Sequence, residues 1–274
     1  MNFEQSLIWA TKFLKSHSIL TARLDSLILL EDCLAIDRSK ILSEPKTKID
    51  SLRLDQFRNL VERRAKHEPM AYIRNQVEFY GREFYIDQRV LTPRPESETI
   101  IDQLNQRLST THLDKPTIID IGTGSGNLCI TAKLEHPHAL VIACDNSADA
   151  LVVAKQNANH YQAAINFYIG NLIDALPNQS LLKDSIIIAN LPYVPNNFVI
   201  NQAARFEPSS ALFAGPDGLD RYRDLFQQLS KLSNYRPLAI LVEAMPEQHF
   251  NLSLIATKYH FRLIQTDDFV QMFS

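Results

Sequence analysis

The chain has 274 residues, a hydrophobic content of 45% and a net charge of −3. This length suffices for one large domain, or for a small and a medium one, with a real core. The charge gives no overall basic excess, so we expect no direct nucleic-acid partner. No apolar run approaches the roughly 20 residues that span a bilayer, and the first residues lack the apolar stretch of a signal peptide. We therefore expect a cytoplasmic protein without a membrane partner.

The three cysteines, Cys33, Cys129 and Cys144, are widely spaced and lie in apolar segments. Their odd number and their spacing favour buried free thiols over disulfides or metal ligands. The histidines form no His-Glu-x-x-His motif and no pairing with cysteine, so the sequence predicts no metal site.

Residues 1–75 are predicted to form a small helical domain. Apolar residues recur at helical spacing from Phe3 to Leu14 and again over residues 50–66. Between these helices, Thr21 is placed to cap another one. The sequence of this domain shows no chemistry of its own.

The pattern changes after the helical domain. Residues 76–92 carry aromatic pairs on both sides of Gly81, which indicates a β-hairpin linker. In the remaining residues, 93–274, apolar strands alternate with helices, which predicts an α/β domain with a mostly parallel sheet and helices on both faces. The final strand, near residues 269–273, is expected at the sheet edge.

A glycine-rich turn stands at the start of this α/β domain. Residues 117–126 read Thr-Ile-Ile-Asp-Ile-Gly-Thr-Gly-Ser-Gly, so an apolar strand runs into three of the chain's seven glycines. A strand, a glycine turn and a helix N-terminus together form a nucleotide-type cradle. The spacing Gly-x-Gly-x-Gly differs from the dinucleotide and P-loop patterns, which favours a ligand without a pyrophosphate, such as S-adenosylmethionine. The predicted contacts are Gly122, Thr123, Gly124, Ser125 and Gly126.

Two later strand ends complete this predicted binding site. Asp145 ends the second strand of the domain, where an acidic side chain meets a ribose diol in nucleotide-binding sheets. The alternative is an aspartate that caps its own helix, which Ser147 also favours. Asn171 and Leu172 follow the third strand and are expected to flank the adenine.

The tetrapeptide Asn190-Leu191-Pro192-Tyr193 follows a buried strand, at the edge where ligands of open α/β sheets bind. An amide or aryl-amine nitrogen is a poor nucleophile because its lone pair is delocalised. The Asn190 side-chain oxygen and the Leu191 carbonyl, held extended by Pro192, are two acceptors that would orient this lone pair toward a sulfonium methyl. Tyr193 would cover the planar group. A plain strand-ending turn remains the alternative.

These motifs resemble those of the bacterial peptide chain release factor N(5)-glutamine methyltransferases over essentially the whole chain. The glycine motif is common to most class I methyltransferases, whereas the Pro-Arg-Pro-Glu and Arg-Phe-Glu-Pro elements with a helical N-terminal domain are specific. The matching segments are residues 68–73, 93–98, 120–126, 190–193, 205–208 and 212–219.

The resemblance implies a Rossmann-like class I methyltransferase sheet and S-adenosylmethionine as methyl donor, which leaves as S-adenosylhomocysteine. It implies as acceptor the glutamine in the Gly-Gly-Gln motif of class 1 release factors. The glycine turn, Asp145, Asn171 and Leu172 would hold the donor, which Asn190 also borders. Residues 190–193 would hold the glutamine amide. We also expect a monomer.

The sequence departs from the family in two places. The family usually has Asn-Pro-Pro-Tyr, and here Leu191 replaces the first proline, so the backbone acceptor stays but one rigid ring is lost. Residues 267–274 lack the Arg-containing final strand of many members. Because Asn-Leu-Pro-Tyr also occurs in ribosomal RNA adenine dimethylases, a nucleic-acid adenine N6-methyltransferase is an alternative. Two further alternatives are a ribosomal-protein glutamine methyltransferase and a non-catalytic S-adenosylmethionine-binding module.

Overall fold

The computed structural model describes residues 1–111, 113–232 and 234–274. The chain divides into two compact units. The first comprises Met1–Asn75 and Ile200–Phe206, and the second comprises Gln76–Val199 and Glu207–Ser274.

The first unit is helical, as the apolar spacing predicts. Asn2 and Gln5 form a capping box at the start of the first helix, and Asp50 accepts a hydrogen bond from the Arg53 N–H, at 2.9 Å, at the start of the fourth. A core that includes the fully buried Phe57 joins the helices. The helices are α1 (Phe3–Ser16), α2 (Ala22–Leu34), α3 (Arg38–Ser43), α4 (Ser51–Ala65) and α5 (Met70–Arg74).

Two local expectations for this unit are wrong. Thr21 occupies the N-cap position of α2, but its hydroxyl donates to Asp25 Oδ2, at 2.8 Å, instead of capping the backbone. Cys33 is only half-buried, because its thiol sits near the exposed end of α2 and donates to the Arg53 carbonyl at 3.2 Å. Cys129 and Cys144 are buried free thiols, as predicted.

The second unit begins with the predicted β-hairpin, formed by β1 (Gln76–Phe79) and β2 (Arg82–Tyr85). Tyr80 and Gly81 form its two-residue turn with φ angles of 53° and 70°. Two consecutive positive φ angles are typical of the type I′ turn, whose twist matches that of the paired strands.

A seven-stranded sheet forms the body of the second unit, with the order β5-β4-β3-β6-β7-β9-β8. Strands β3 to β7 pair in parallel, and β9 is antiparallel to both of its neighbours. The strands are β3 (Thr117–Ile121), β4 (Leu140–Asp145), β5 (Ile165–Ile169), β6 (Ile186–Ala189), β7 (Ala239–Glu243), β8 (Leu263–Asp267) and β9 (Val270–Phe273).

Helices cover both faces of this sheet. Successive residues of β3 point to opposite faces: Ile119 belongs to one core with Tyr222 and Leu252, and Ile118 belongs to a second core with Ile100 and Leu128. The helices are α6 (Glu98–Ser109), α7 (Asn127–Glu135), α8 (Ala148–His160), α9 (Ser209–Leu212), α10 (Asp220–Ser230) and α11 (His249–Lys258).

The final strand is not at the edge, contrary to expectation. β9 lies between β7 and β8, and all four of its residues are buried. β8 occupies the edge instead, and four of its five residues are exposed, as suits a strand with one free side. None of the helices in the described ranges is both long and apolar enough to cross a membrane.

Candidate active site

The sheet brings the glycine turn and the tetrapeptide together. The chain crosses from β3 to β4 and β5 on one side, and then returns to β6 on the other side of β3. This reversal of strand order creates a crevice at the carboxyl ends of β3 and β6, where open α/β sheets bind their ligands.

A groove of about 1070 Å³, counting its open mouth, occupies this crevice. We call it the strand-end groove. It is lined by ten of the twelve predicted contact residues: Gly122, Thr123, Gly124, Ser125, Asp145, Asn171, Leu172, Asn190, Leu191 and Pro192. Gly126 and Tyr193 are not among the residues that line it.

The glycine turn is anchored to the end of β4. The N–H groups of Gly122 and Thr123 both donate to the Cys144 carbonyl, at 2.9 and 3.0 Å. Gly124 has φ +54°, and a Cβ atom added to it would meet nothing within 4 Å, so its backbone is open to the groove. Gly126 serves a different purpose, because an added Cβ would lie 3.2 Å from Ala154 Cα. It therefore allows close packing between α7 and α8.

Asp145 contacts the turn and its own helix at once. One carboxylate oxygen accepts the Gly124 N–H at 2.9 Å, and the other accepts the Ser147 N–H at 2.8 Å. Each oxygen keeps a further lone pair for a ligand hydroxyl. Burial raises the pKa of Asp145, and these backbone N–H groups oppose the shift. Ser147 caps α8 as predicted, by accepting the Ala150 N–H at 3.2 Å.

Asn171 and Leu172 stand at the end of β5. Asn171 is exposed, whereas Leu172 is buried with a positive φ of 51°. The Leu172 carbonyl accepts from the Cys144 thiol at 3.3 Å, which ties this segment to the end of β4. An apolar side chain and a polar one thus stand side by side at one end of the groove.

Asn190 and Leu191 are both held by residues outside the tetrapeptide. The Asn190 amide nitrogen donates to Ser97 Oγ at 2.8 Å, which turns its oxygen, Oδ1, away from Ser97. The Leu191 N–H donates to the Tyr222 hydroxyl at 3.3 Å, and that hydroxyl donates to the Glu243 carbonyl. The Leu191 peptide plane is thereby fixed.

Two hydrogen bonds hold Tyr193 in place beside the groove. Its hydroxyl donates to Glu243 Oε1 at 2.9 Å, and its carbonyl accepts from Gln248 Nε2 at 2.7 Å. Glu243 is fully buried at the end of β7. Burial raises the pKa of Glu243, and burial together with the nearby Glu243 carboxylate raises the pKa of the Tyr193 hydroxyl.

Sequence reasoning missed Ser97 and Glu243 as site residues. Ser97 stands at the N-cap position of α6, but its side chain makes no capping hydrogen bond there. Glu243 ends the apolar run Ala-Ile-Leu-Val, and a charged residue at the carboxyl end of a buried strand was the available signal.

The two family-specific elements meet at an ion pair. Arg94 donates to both carboxylate oxygens of Glu207, at 2.8 and 2.7 Å. The Glu207 side chain is 1% exposed and that of Arg94 is 40% exposed. Burial raises the pKa of Glu207, and Arg94 opposes this shift. Arg94 lines the strand-end groove, so this pair fixes part of its wall.

A further buried acid lies under the glycine turn. Asp120, in β3, is fully buried and accepts a hydrogen bond from the Thr123 hydroxyl at 2.6 Å. Burial raises its pKa to about 7, despite that hydrogen bond. It holds the turn from below and is absent from the groove lining.

Comparison with known proteins assigns the chain to a family. Residues 5–74 match the PrmC N-terminal domain, and residues 112–212 match a methyltransferase domain. The chain is 35% identical to the release factor glutamine methyltransferase of Coxiella burnetii, over 76% of this chain and 74% of that one. It is 33% identical to the Bacillus subtilis release factor glutamine methyltransferase, over 82% and 79%. The chain belongs to the release factor glutamine methyltransferase family.

The methyltransferase fold of this family member also appears in solved structures. The human Mettl16 catalytic domain, in complex with an RNA hairpin, aligns with a TM-score of 0.54 and 12% identity over 83% of this chain and 81% of that one. The T. thermophilus 16S rRNA methyltransferase RsmC, in complex with AdoMet and guanosine, aligns with a TM-score of 0.52 and 14% identity over 73% and 49%. At these identities the likeness concerns the fold alone. The family relatives and the methyltransferase-domain match show that this release factor glutamine methyltransferase family member is a methyltransferase.

Proposed function

We propose that the chain transfers a methyl group from S-adenosylmethionine to the side-chain nitrogen of the glutamine in the Gly-Gly-Gln motif of class 1 release factors. The observation that carries this proposal is the orientation of Asn190 at the strand-end groove. Its amide nitrogen is taken by Ser97, which leaves its oxygen as an acceptor for a substrate N–H.

The groove suits the proposed donor. The open space above Gly124 accommodates a ligand close to the backbone, and the Asp145 carboxylate retains acceptor capacity for two ribose hydroxyls. Asn171 and Leu172 offer a polar and an apolar surface for the adenine. When bound, S-adenosylmethionine supplies an electrophilic methyl group on a sulfonium centre.

The residues of the chain act by positioning the acceptor. Asn190 Oδ1 and the Leu191 carbonyl each accept one hydrogen of the glutamine NH2 group, which aims the nitrogen lone pair. Tyr193 and Pro192 restrict the planar amide. Correct positioning is worth up to about 7–11 kcal/mol of the barrier. No general base is needed before transfer, because the methylated nitrogen is strongly acidic and loses its proton to water.

We further propose that the helical domain of residues 1–75 binds the release factor away from the reacting glutamine, with residues 76–92 as the linker. Release factors act in the cytoplasm, so the reaction is placed there, and we propose that a monomer performs it without direct contact to nucleic acid.

The proposal is tested with labelled S-adenosylmethionine and a purified class 1 release factor. Mass spectrometry should find one methyl group on the Gly-Gly-Gln glutamine, and a release factor with that glutamine replaced by alanine should stay unlabelled. Asn190→Ala should lower kcat/KM by roughly 100-fold or more, with donor affinity within a few-fold. Label in a ribosomal protein or in ribosomal RNA, but not in the release factor, would contradict the proposal.

A further inference from the structure

Neighbouring residues must fix the orientation of the Asn190 side chain. The oxygen and nitrogen of a carboxamide have nearly the same shape, and their hydrogen-bond partners decide which one faces a site. A substrate NH2 group requires the oxygen to face the groove. If the amide turned over, its own NH2 group would face the substrate and repel it.

Ser97 is placed to provide this control. It is 1% exposed, and its Oγ lies 2.8 Å from Asn190 Nδ2. A hydroxyl that donates its hydrogen elsewhere has only acceptor capacity left for Asn190. The hydroxyl makes no capping hydrogen bond to α6, so its helix does not use it.

Glu243 offers a buried acceptor for the Ser97 hydroxyl. Its Oε1 accepts from Tyr193 at 2.9 Å, while its buried Oε2 has no direct hydrogen bond among the described groups. Burial raises the pKa of Glu243, and the polar side chains of Ser97, Tyr193 and Asn190 around it oppose this shift. A carboxylate only accepts hydrogen bonds, so its Oε2 is an acceptor toward which the Ser97 hydroxyl can turn its hydrogen.

We propose that Ser97 and Glu243 are positioning residues that hold the Asn190 oxygen toward the groove and thereby make the site select a carboxamide over a carboxylate. This inference rests on the proposed function. The order of donation is Asn190 to Ser97 and Ser97 toward Glu243. A glutamate side chain has no hydrogen for Asn190 Oδ1, so the wild-type site rejects it.

Two substitutions test this arrangement. Ser97→Ala removes the hydroxyl between Asn190 and Glu243, and Glu243→Gln keeps the shape of that side chain but adds a hydrogen-bond donor. Both free the Asn190 amide to turn over. Ser97→Thr retains the hydroxyl and should retain the selectivity. Ser185→Ala is the matched control, because Ser185 is a fully buried serine of the same unit whose hydroxyl donates to the Leu182 carbonyl.

Two quantities are measured for each variant: the KM for the release factor, and the Ki of the same release factor with glutamate in place of the reacting glutamine. We expect Ser97→Ala and Glu243→Gln to lower the ratio Ki/KM about tenfold, the factor that corresponds to one hydrogen bond. The donor affinity of each variant, measured by calorimetry, should remain within about threefold of that of the unsubstituted chain. This result would also show that the variants fold. A purely structural role would reduce donor binding and activity together and leave the ratio unchanged.

An unchanged Ki/KM ratio in a variant that still binds the donor would overturn the inference. If the unsubstituted chain failed to methylate the release factor, the proposed function would fail, and the positioning role would be tested by NMR of the Asn190 carboxamide. Its NH2 hydrogens should be protected from exchange in the unsubstituted chain and lose this protection in Ser97→Ala. Equal exchange in both would refute the role of Ser97.

Discussion

Arg94 and Glu207 form an ion pair that joins two segments 113 positions apart in the chain, with one guanidinium nitrogen bonded to both carboxylate oxygens. Because the Glu207 side chain is almost completely buried, removal of its partner would leave a carboxylate without compensation. Arg94 is partly exposed, so water offsets some of this cost. We expect Arg94→Ala to lower the free energy of unfolding by about 2 kcal/mol, measured by urea denaturation followed by circular dichroism.

The matched control for that change is Arg221→Ala, which breaks an exposed ion pair between Arg221 and Asp224 on α10 of the same unit. An exposed pair of this kind contributes about 0.5 kcal/mol or less. If Arg94→Ala lowered the free energy of unfolding no more than this control does, the buried Glu207 carboxylate would not need Arg94 for its stability.

The loss of unfolding free energy caused by Arg94→Ala should also depend on pH. Burial raises the pKa of Glu207, and Arg94 opposes the shift, so the pKa rises further when Arg94 is removed. A carboxyl group with a raised folded-state pKa disfavours folding above its unfolded pKa of about 4.3, and this penalty disappears as the pH falls below it. The stability difference between Arg94→Ala and the unsubstituted chain should therefore shrink as the pH is lowered from 7 to 4. A difference that grows toward acid would contradict this account.

Gly124 and Gly126 should respond differently to alanine. Both have positive φ, so each substitution costs about 1 kcal/mol in backbone strain. At Gly126 the added methyl group also meets Ala154 and Ile130, so the loss of stability should be the larger one. At Gly124 the methyl group enters open space, and there we expect a greater loss of donor affinity than of stability. Calorimetry and urea denaturation of the two variants compare these effects directly, and equal behaviour would contradict their separate roles.

Asp145→Asn should weaken donor binding by about tenfold or more, because an amide replaces one of the two acceptor oxygens and removes the charge. Donor affinity of the unsubstituted chain should also fall in acid, beginning at a pH above the ordinary aspartate pKa of about 3.9. Burial raises the pKa of Asp145, so its carboxylate is protonated at higher pH than the ordinary value of about 3.9. A raised pKa makes protonation favour the folded chain, so this loss of affinity does not come from unfolding at Asp145.

The helical unit offers a surface on which its proposed role can be tested. A groove between α1, α2 and α3 has an apolar floor that includes Leu7 and Ile41, and Lys12 and Lys15 lie along its rim. If this unit binds the release factor, Lys12→Glu with Lys15→Glu should raise the KM for the whole release factor severalfold. Donor affinity and activity on a short Gly-Gly-Gln peptide should stay the same. An unchanged KM for the whole release factor would remove this surface from the proposal.

Local patterns predicted the parts of the fold that depend on neighbouring residues. The helices of residues 1–75, the hairpin around Gly81 and the strand that ends at Asp145 all follow from spacing and turn chemistry over fewer than about 20 residues. The position of β9 in the sheet did not follow, because strand order depends on pairing between distant segments. Apolar runs of similar length do not reveal which strand is at the edge.

The candidate site was predictable to a similar extent. The predicted contact residues that line the groove stand at or just after the ends of strands β3 to β6, and their positions in the sequence indicate this. The supports of Asn190 and Leu191 come instead from Ser97, Tyr222 and Glu243, which are distant in sequence. Nothing near Ser97 distinguishes a hydroxyl that caps a helix from one that holds a distant side chain.

The interior position of β9 constrains how the sheet assembles during synthesis. Within the part of the chain that the structure describes, the edge strand β8 pairs with the sheet through β9, which is translated after it. Until residues 270–273 leave the ribosome, β8 has no partner and the hydrogen-bonding edge of β7 is uncovered. An uncovered apolar strand edge invites pairing with other chains. The nascent protein is therefore prone to aggregation until β9 emerges, and chaperone protection of the β7 edge matters during that interval.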